Sequence, residues 1–384
     1  MTKILLILDS SIEFSRSLLK GLVKYTKENE SWTLFPLPSY YMELYGKDAI
    51  VDWARDWGAD AILAQWDTES ANLLKELDIP VVLQNFKKRS EHFSNLTGDY
   101  RGTGKMAAEF FIKRRFQNFA YYGYKNAVWS RERAEGFHHE VKKVNGNFFY
   151  FESEDLRQAP WSKNHIDLAE WLLTLPKPTA LFACDDTFAL TVSEICSLNN
   201  IRIPDDIALL GVDNDELVCN LSDPPLSSIE LDVRKGGYEA GKLLHQLIRE
   251  KAEPLNIFIG PSHIELRQST EKYHLKNEHI QKVVDFIKDN YTSEISIDFL
   301  TDMVPLSRRN LEVKFKDAMG ISIYQFILQN RIEHFAHLLK TTDRSLFDLA
   351  LESGFNDSNN ISRIFKKFKG VTPLEFRQKS FVST

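Results

Sequence analysis

The sequence predicts an α/β fold of doubly wound sheets followed by a separate all-α domain. Three observations carry this. Short apolar runs alternate with helical patterns over residues 1–270. A polar segment at 271–277 then has no apolar period. Beyond it, over 278–384, strand signals stop and apolar residues recur at three- and four-residue spacing.

The apolar runs are Ile4–Leu8, Ala61–Trp66, Pro80–Leu83, Phe119–Tyr124, Ala180–Ala183 and Ile207–Val212. Each is short, bounded by Asp, Gly or Pro, and apolar on both faces, as a buried parallel strand requires. Helical stretches fall between them at Phe14–Lys27, Glu69–Leu77, Gly102–Arg114, Arg131–Val144 and Thr187–Leu198. Ligands of such sheets sit beyond the carboxyl ends of the strands. Polar residues collect there: Asp9 and Ser10, Asp67, Gln84 and Asn85, Asp185 and Asp186, Asp213 and Asn214. Asp186 reads as a helix N-cap, and Asp205 and Asp206 as loop residues.

The chain has 384 residues, enough for two or three domains with more than one core. A net charge of −6 excludes a wholly basic nucleic-acid coat. From Tyr273 onward, sixteen Lys/Arg stand against fourteen Asp/Glu, so a DNA footprint has to lie on one face of the tail. Cys184, Cys196 and Cys219 have neither metal spacing nor an even disulfide count, which suggests a reducing compartment. Ile4–Leu8 is too short for a signal peptide, and no stretch reaches the ~18 apolar residues that span a bilayer. A cytoplasmic protein without a membrane partner is expected. No metal or cofactor set emerges. His138 and His139 are adjacent, a poor metal spacing. Gly98-Asp-Tyr-Arg-Gly-Thr-Gly-Lys105 misplaces the first glycine of a phosphate loop, and Met106 stands where Ser or Thr is needed.

The tail holds two helical pairs around a long central helix marked by Ile323, Phe326, Ile327, Phe335, Leu338 and Leu339. The first pair is Ile297–Met303, a break at Val304–Leu306, then Ser307–Phe315. The second is Leu346–Glu352, a break at Ser353–Phe355, then Asp357–Lys367. Each second helix opens on a capping residue, Ser307 or Asp357. This is the plan of a double helix-turn-helix, whose second helix enters the major groove. Arg308, Arg309 and Asn310 would face the groove on one helix, and Ser358, Asn359, Asn360 and Arg363 on the other. Arg can pair with guanine and Asn with adenine through two bonds. Lys314, Lys316, Lys366, Lys367 and Lys369 suit phosphates or water.

These residues resemble the AraC/XylS-type DNA-binding domain. The likeness runs through Ser307, Leu311, Phe315, Gly320, Arg331, Ala336, Ala350, Gly354-Phe355, Ser358, Arg363, Phe365-Lys366-Lys367, Gly370, Thr372-Pro373 and Arg377. Pro305 stands where the first turn usually has glycine, and Ile361 and Phe376 replace a more usual Phe and Tyr.

The first domain resembles the periplasmic-binding-protein-like sensor of the lactose-repressor/ribose-binding superfamily, a two-lobed doubly wound fold. Ser130-Arg-Glu-Arg-Ala-Glu-Gly-Phe137, Phe182–Leu190 and Ile203-Pro-Asp-Asp-Ile-Ala-Leu-Leu-Gly-Val-Asp213 carry the likeness, with Ser227–Ile229 and Arg267–Thr270. The resemblance implies that Arg131 or Arg133, Asp185 and Asp213 bind sugar hydroxyls, with Asp67 and Asp99 as further candidates. It also implies that Phe14 packs on the sugar; Trp161 either does the same or fills core. Leu231 replaces a frequent ligand-binding Gln. Carboxylates and guanidinium suit this work because they make charge-assisted hydrogen bonds to hydroxyls.

Sensor first and helix-turn-helix last is the order of bacterial xylose-operon regulators, which the chain resembles over its whole length. The resemblance implies a homodimeric transcription regulator that takes D-xylose or a related pentose and double-stranded operator DNA, with RNA polymerase as a candidate partner. Activation and repression are both open. A carbohydrate-active enzyme would need a nucleophile–base or metal constellation that the sequence does not offer, and a transport-binding protein would leave the tail unexplained.

Overall fold

The computed structural model describes residues 2–29, 31–66, 71–85, 88–125, 127–153, 161–250, 254–273, 275, 277–355 and 360–381. They form two compact units, Met1–Lys272 and Tyr273–Thr384.

The first unit contains two six-stranded sheets, with strands numbered in chain order. One runs β2 (Trp32–Pro36), β1 (Thr2–Ile7), β3 (Ala61–Trp66), β4 (Val81–Asn85), β5 (Ser94–Gly98), β11 (Asn256–Ile259), all parallel. The other runs β7 (Asn147–Ser153), β6 (Asn118–Tyr124), β8 (Thr179–Ala183), β9 (Ile207–Val212), β10 (Ser227–Leu231), β12 (Pro261–Glu265), with only β12 antiparallel. Each sheet therefore repeats one strand order. The order reverses beside β1 in the first lobe and beside β6 in the second, which opens a crevice at those strand ends.

The six apolar runs form β1, β3, β4, β6, β8 and β9. Their residues are buried on both faces, as in Ile207–Val212. The sequence pattern missed six strands. β2, β7, β11 and β12 lie at sheet edges and keep solvent-exposed residues. β5 and β10 are buried but rich in Ser, Asn and Thr. The predicted helix at Glu69–Leu77 is a 3₁₀ helix over Asn72–Leu77, and its first two residues lie outside the described set.

The helices of this unit are α1 (Glu13–Asn29), α2 (Ser39–Trp57), α3 (Tyr100–Lys113), α4 (Val128–Lys143), α5 (Trp161–Thr174), α6 (Asp186–Leu198), α7 (Glu216–Leu221) and α8 (Val233–Glu250). The chain crosses between sheets after β5, β10 and β11. The glycines of 98–105 serve the first crossing. Asp99 caps α3 by accepting the Gly102 N–H at 2.9 Å. A Cβ on Gly104 would come within 2.0 Å of the Arg133 carbonyl, so only glycine lets α3 lie against α4 here.

The second unit is helical throughout its described residues: α9 (Glu278–Asn290), α10 (Ile297–Asp302), α11 (Arg308–Met319), α12 (Ile323–Thr341), α13 (Leu346–Glu352), α14 (Ile361–Lys369) and α15 (Pro373–Phe381). It has two cores. Ile280, Val283, Leu300, Leu311 and Phe315 gather in one, and Leu349, Ala350, Phe355, Ile361 and Phe365 in the other. α12 serves both, giving Ile323, Phe326 and Ile327 to the first and Ile332, Phe335 and Leu339 to the second. The two halves repeat each other. α11 and α14 each bury an i,i+4 pair, Leu311/Phe315 and Ile361/Phe365, and each stops at a left-handed glycine, Gly320 or Gly370 with φ 77°. At Pro305 the chain makes a tight turn in which the Leu306 N–H donates to the Val304 carbonyl at 2.7 Å.

The segment expected to be a plain connector is partly core. Tyr273 and Leu275 pack against the first helical core, and the Tyr273 ring meets Phe326 edge-on at 5.7 Å. A fragment beginning at Tyr273 should therefore unfold at a higher temperature than one beginning at Asn277. Their partial burial contributes about 1–3 kcal/mol. Equal midpoints in thermal denaturation followed by circular dichroism would show that these two side chains add nothing.

Candidate ligand cleft and nucleic-acid interface

The crevice of the first unit is built from strand ends and helix starts. A pocket open to solvent is lined by Glu13, Phe14 and Ser17 of α1, by Asp213 and Asn214 after β9, and by Glu230, Leu231 and Val233 at the end of β10. Phe14 and Asp213, from different lobes, thus share one wall. Leu231 lines the same wall as an apolar surface.

Arg133 lies deeper and is 4% exposed. α4 carries it inward, where it donates to the Cys184 carbonyl at the end of β8 and stands 3.8 Å from Asp213 Oδ1. Trp129, one turn earlier, and Tyr100 flank the guanidinium at 5.3 and 5.7 Å. These two aromatics escaped the sequence reading, although the i,i+4 spacing of Trp129 and Arg133 was available as a signal. Arg133 Nε and Asp213 Oδ1 are buried without a hydrogen-bond partner among the described residues. Buried polar atoms left this way cost about 1–3 kcal/mol each unless water or a ligand meets them. Burial raises the Asp213 carboxyl above its ordinary range, while Arg133 pulls it back down.

Asp185 caps α6, accepting the Phe188 N–H at 2.8 Å. Burial pushes its carboxyl up to about 6, against that hydrogen bond, and the Asp213 charge adds to the rise. Asp186 was expected to be the cap; the cap is its neighbour. Asp186 instead is 2% exposed and accepts from Ser228 Oγ at 2.6 Å and from the Asp215 N–H at 2.8 Å.

Two candidates are exposed to solvent. Arg131 is exposed and sits 3.9 Å from Glu135, because two residues along a helix turn the side chain to the opposite side from Arg133. Asp99 is exposed and occupied in capping α3. Asp67 lies outside the described residues, as does the side chain of Trp161, which begins α5.

Two ion pairs join the lobes beside this cleft. Arg16 of α1 reaches Asp215 at 3.2 Å. Arg89, between β4 and β5, holds Glu132 of α4 through two 2.7 Å bonds and keeps that carboxyl below its usual range.

In the second unit, Ser307 caps α11 through the Asn310 N–H. Ser307, Arg308, Arg309, Asn310 and Lys314 are exposed. Arg308 is engaged by Glu312 at 3.3 Å and Asp298 at 3.6 Å. On α14, Arg363, Lys366 and Lys367 are exposed, and exposed Asn360 precedes the helix. Asp357, Ser358 and Asn359 lie outside the described residues. Lys369 pairs with Glu333 of α12 at 2.5 Å. Arg331 is a staple, donating to the Tyr291 and Ser293 carbonyls, and Arg377 binds the Arg344 carbonyl. No helix is long and apolar enough to cross a membrane among the described residues.

Comparison with known proteins places both halves. Residues 108–270 match the periplasmic binding protein-like domain, and residues 300–379 match a helix-turn-helix domain. The chain is 28% identical over 385 residues to the xylose operon regulatory protein of Haemophilus influenzae, covering 98% of each. It is 27% identical to the protein of that name from Escherichia coli K12, covering 98% of this chain and 96% of the relative. Its fold matches a solved xylose-binding transcription activator with a TM-score of 0.64 at 24% identity, over 98% of this chain and 97% of that one. The chain thus joins a periplasmic binding protein-like domain to a helix-turn-helix domain, and it is similar along nearly its whole length to proteins named as xylose operon regulators.

Proposed function

We propose that the protein is a cytoplasmic regulator of pentose utilisation that takes D-xylose in the cleft of its first unit and double-stranded operator DNA on its second. One observation carries the sugar site. Arg133 and Asp213 form a buried ion pair at 3.8 Å in which Arg133 Nε and Asp213 Oδ1 make no hydrogen bond, and Asp213 shares a cavity with Phe14. An aldopentose offers hydroxyls to the two charged groups and a C–H face to the ring. Asp185 is a third hydroxyl ligand in this reading, with Asp67 and Trp161 as further contacts. The names of the full-length relatives agree with xylose.

The response works by hinge motion between the lobes. Sugar shifts the balance only by binding the closed arrangement better than the open one. The Arg16–Asp215 and Arg89–Glu132 pairs are contacts whose geometry such a motion would change. In a homodimer, closure would alter how two helix-turn-helix tails meet the operator, with RNA polymerase as a further partner.

Asp213→Asn keeps the side-chain shape and tolerates the local backbone, but removes the charge. It should weaken D-xylose binding by about 1.5–3 kcal/mol, roughly ten- to a hundredfold in Kd. Isothermal titration with D-xylose, and with D-ribose and D-glucose as comparison sugars, reads this directly. Unchanged affinity in the folded variant would remove Asp213 from the site, and absence of xylose binding to the parent chain would remove xylose.

On DNA, Arg309 and Asn360 are taken as base readers and Lys367 as a phosphate contact. Arg309→Ala and Asn360→Ala should each relax preference by about 1–3 kcal/mol at one operator position, the two positions lying about one helical turn apart. Lys367→Ala should weaken all sequences alike and lower the salt slope by about one unit. Binding to a panel of single-base operator variants tests this. Uniform losses for both Arg309→Ala and Asn360→Ala would end the double-readout scheme.

A further inference from the structure

The turn after β9 carries an unusual backbone. Asp213 has φ 99° and Asn214 has φ 49°, two successive non-glycine residues in the left-handed half of the map. Such conformations cost energy and persist only where the surroundings fix them. Here all three backbone N–H groups of the turn are held. Asp213 donates to the Ile229 carbonyl at 2.9 Å, Asn214 to Ser228 Oγ at 3.0 Å, and Asp215 to Asp186 Oδ2 at 2.8 Å. The two side-chain acceptors are themselves joined, since Ser228 Oγ donates to Asp186 Oδ1 at 2.6 Å.

We infer that Asp186 and Ser228 form a buried positioning pair that holds the strained Asp213–Asp215 turn and thereby aims the Asp213 carboxylate into the cleft. Neither residue lines the cavity. Ser228 is fully buried and Asp186 nearly so. The neighbourhood is built around them. Gly211, paired with Ser228 across β9 and β10, has no side chain because a Cβ there would come within 2.1 Å of Asp186 Oδ1. Arg267 fixes the Asn214 side chain at 2.8 Å, and Asn214 in turn donates to Glu230 at 3.0 Å. The Asp213 Oδ1 atom is the polar atom of this turn that is buried without a partner among the described residues. The network thus spends its hydrogen bonds on the backbone and takes none from the Asp213 carboxylate, whose Oδ1 faces Arg133 at 3.8 Å.

This inference rests on Asp213 as a sugar ligand, so the experiment separates the two. D-Xylose Kd is measured by titration calorimetry on the full chain and on Ser228→Ala, Asp186→Asn and Asp213→Asn, with folding checked by circular dichroism. Ser228→Ala removes the acceptor for the Asn214 N–H without touching the cavity, and should raise Kd at least tenfold in folded protein. Asp186→Asn keeps an oxygen for the Asp215 N–H and an amide that can donate to Ser228 Oγ, so its Kd should stay within about threefold of the parent. A purely structural role would lower the melting temperature and leave Kd alone. If Ser228→Ala does not fold, Ser228→Cys replaces it, and its weakly accepting sulfur should raise Kd at least threefold. Unchanged Kd in the folded Ser228 variant, with Asp213→Asn weakened, overturns the positioning pair. An Asp186→Asn protein as weak as Asp213→Asn also overturns it, because the charge and not the hydrogen bonds would then matter. Unchanged Kd in Asp213→Asn overturns the sugar site itself.

Discussion

A guanidinium taken out of water is the constraint around which the first unit is arranged. Removing an ion from water costs several kcal/mol even after relaxation, so Arg133 can be buried only where acceptors converge on it. The Cys184 carbonyl comes from the end of β8, Asp213 from the end of β9, and the flanking rings from α3 and α4. These elements meet because α3 and α4 touch backbone to backbone at Gly104. The charge thus ties two strand ends to two helices at the place where the strand order reverses. Asp213 is both its counter-ion and the residue that offers an oxygen to the cleft.

The second unit solves a different problem with one long helix. A recognition helix has to expose most of its surface, so it can bury little of itself. α11 and α14 each bury one i,i+4 pair and leave their remaining faces polar or exposed. α12 compensates by feeding both cores, and it makes the two halves parts of one body. Arg331 adds to this by binding the carbonyls at the end of α9. The basic side chains of this unit thus fall into two groups, those bound to the protein itself and those standing on its surface. Exposure distinguishes the two: Arg309, Arg363 and Lys367 stand in solvent, whereas Arg331 and Lys369 are tied to the protein.

What the sequence determined by itself was whatever is encoded locally. Strands apolar on both faces are legible because burial on both sides leaves no polar position, and so β1, β3, β4, β6, β8 and β9 could be read directly. The helices of the tail, except α15, could be read for a related reason. Their capping serines, turn residues and i,i+4 apolar pairs all lie within one or two turns of each other. The family motifs added the order of the two domains. Tertiary structure alone decided the rest. β5 and β10 look like loops because Ser94, Asn95, Ser227 and Ser228 are polar, and they are strands because distant groups satisfy them: Asn256 for Asn95, Thr270 for Ser227, Asp186 for Ser228. Arg131 and Arg133 are equivalent in the motif, and only packing against α3 and the strand ends buries one and leaves the other in water. The choice between Asp185 and Asp186 as cap was settled in the same way, by which carboxylate met a free helix amide and which met Ser228. A hydrogen bond between residues far apart in the chain has no local sequence period, so its partners become visible only once the strands are in register.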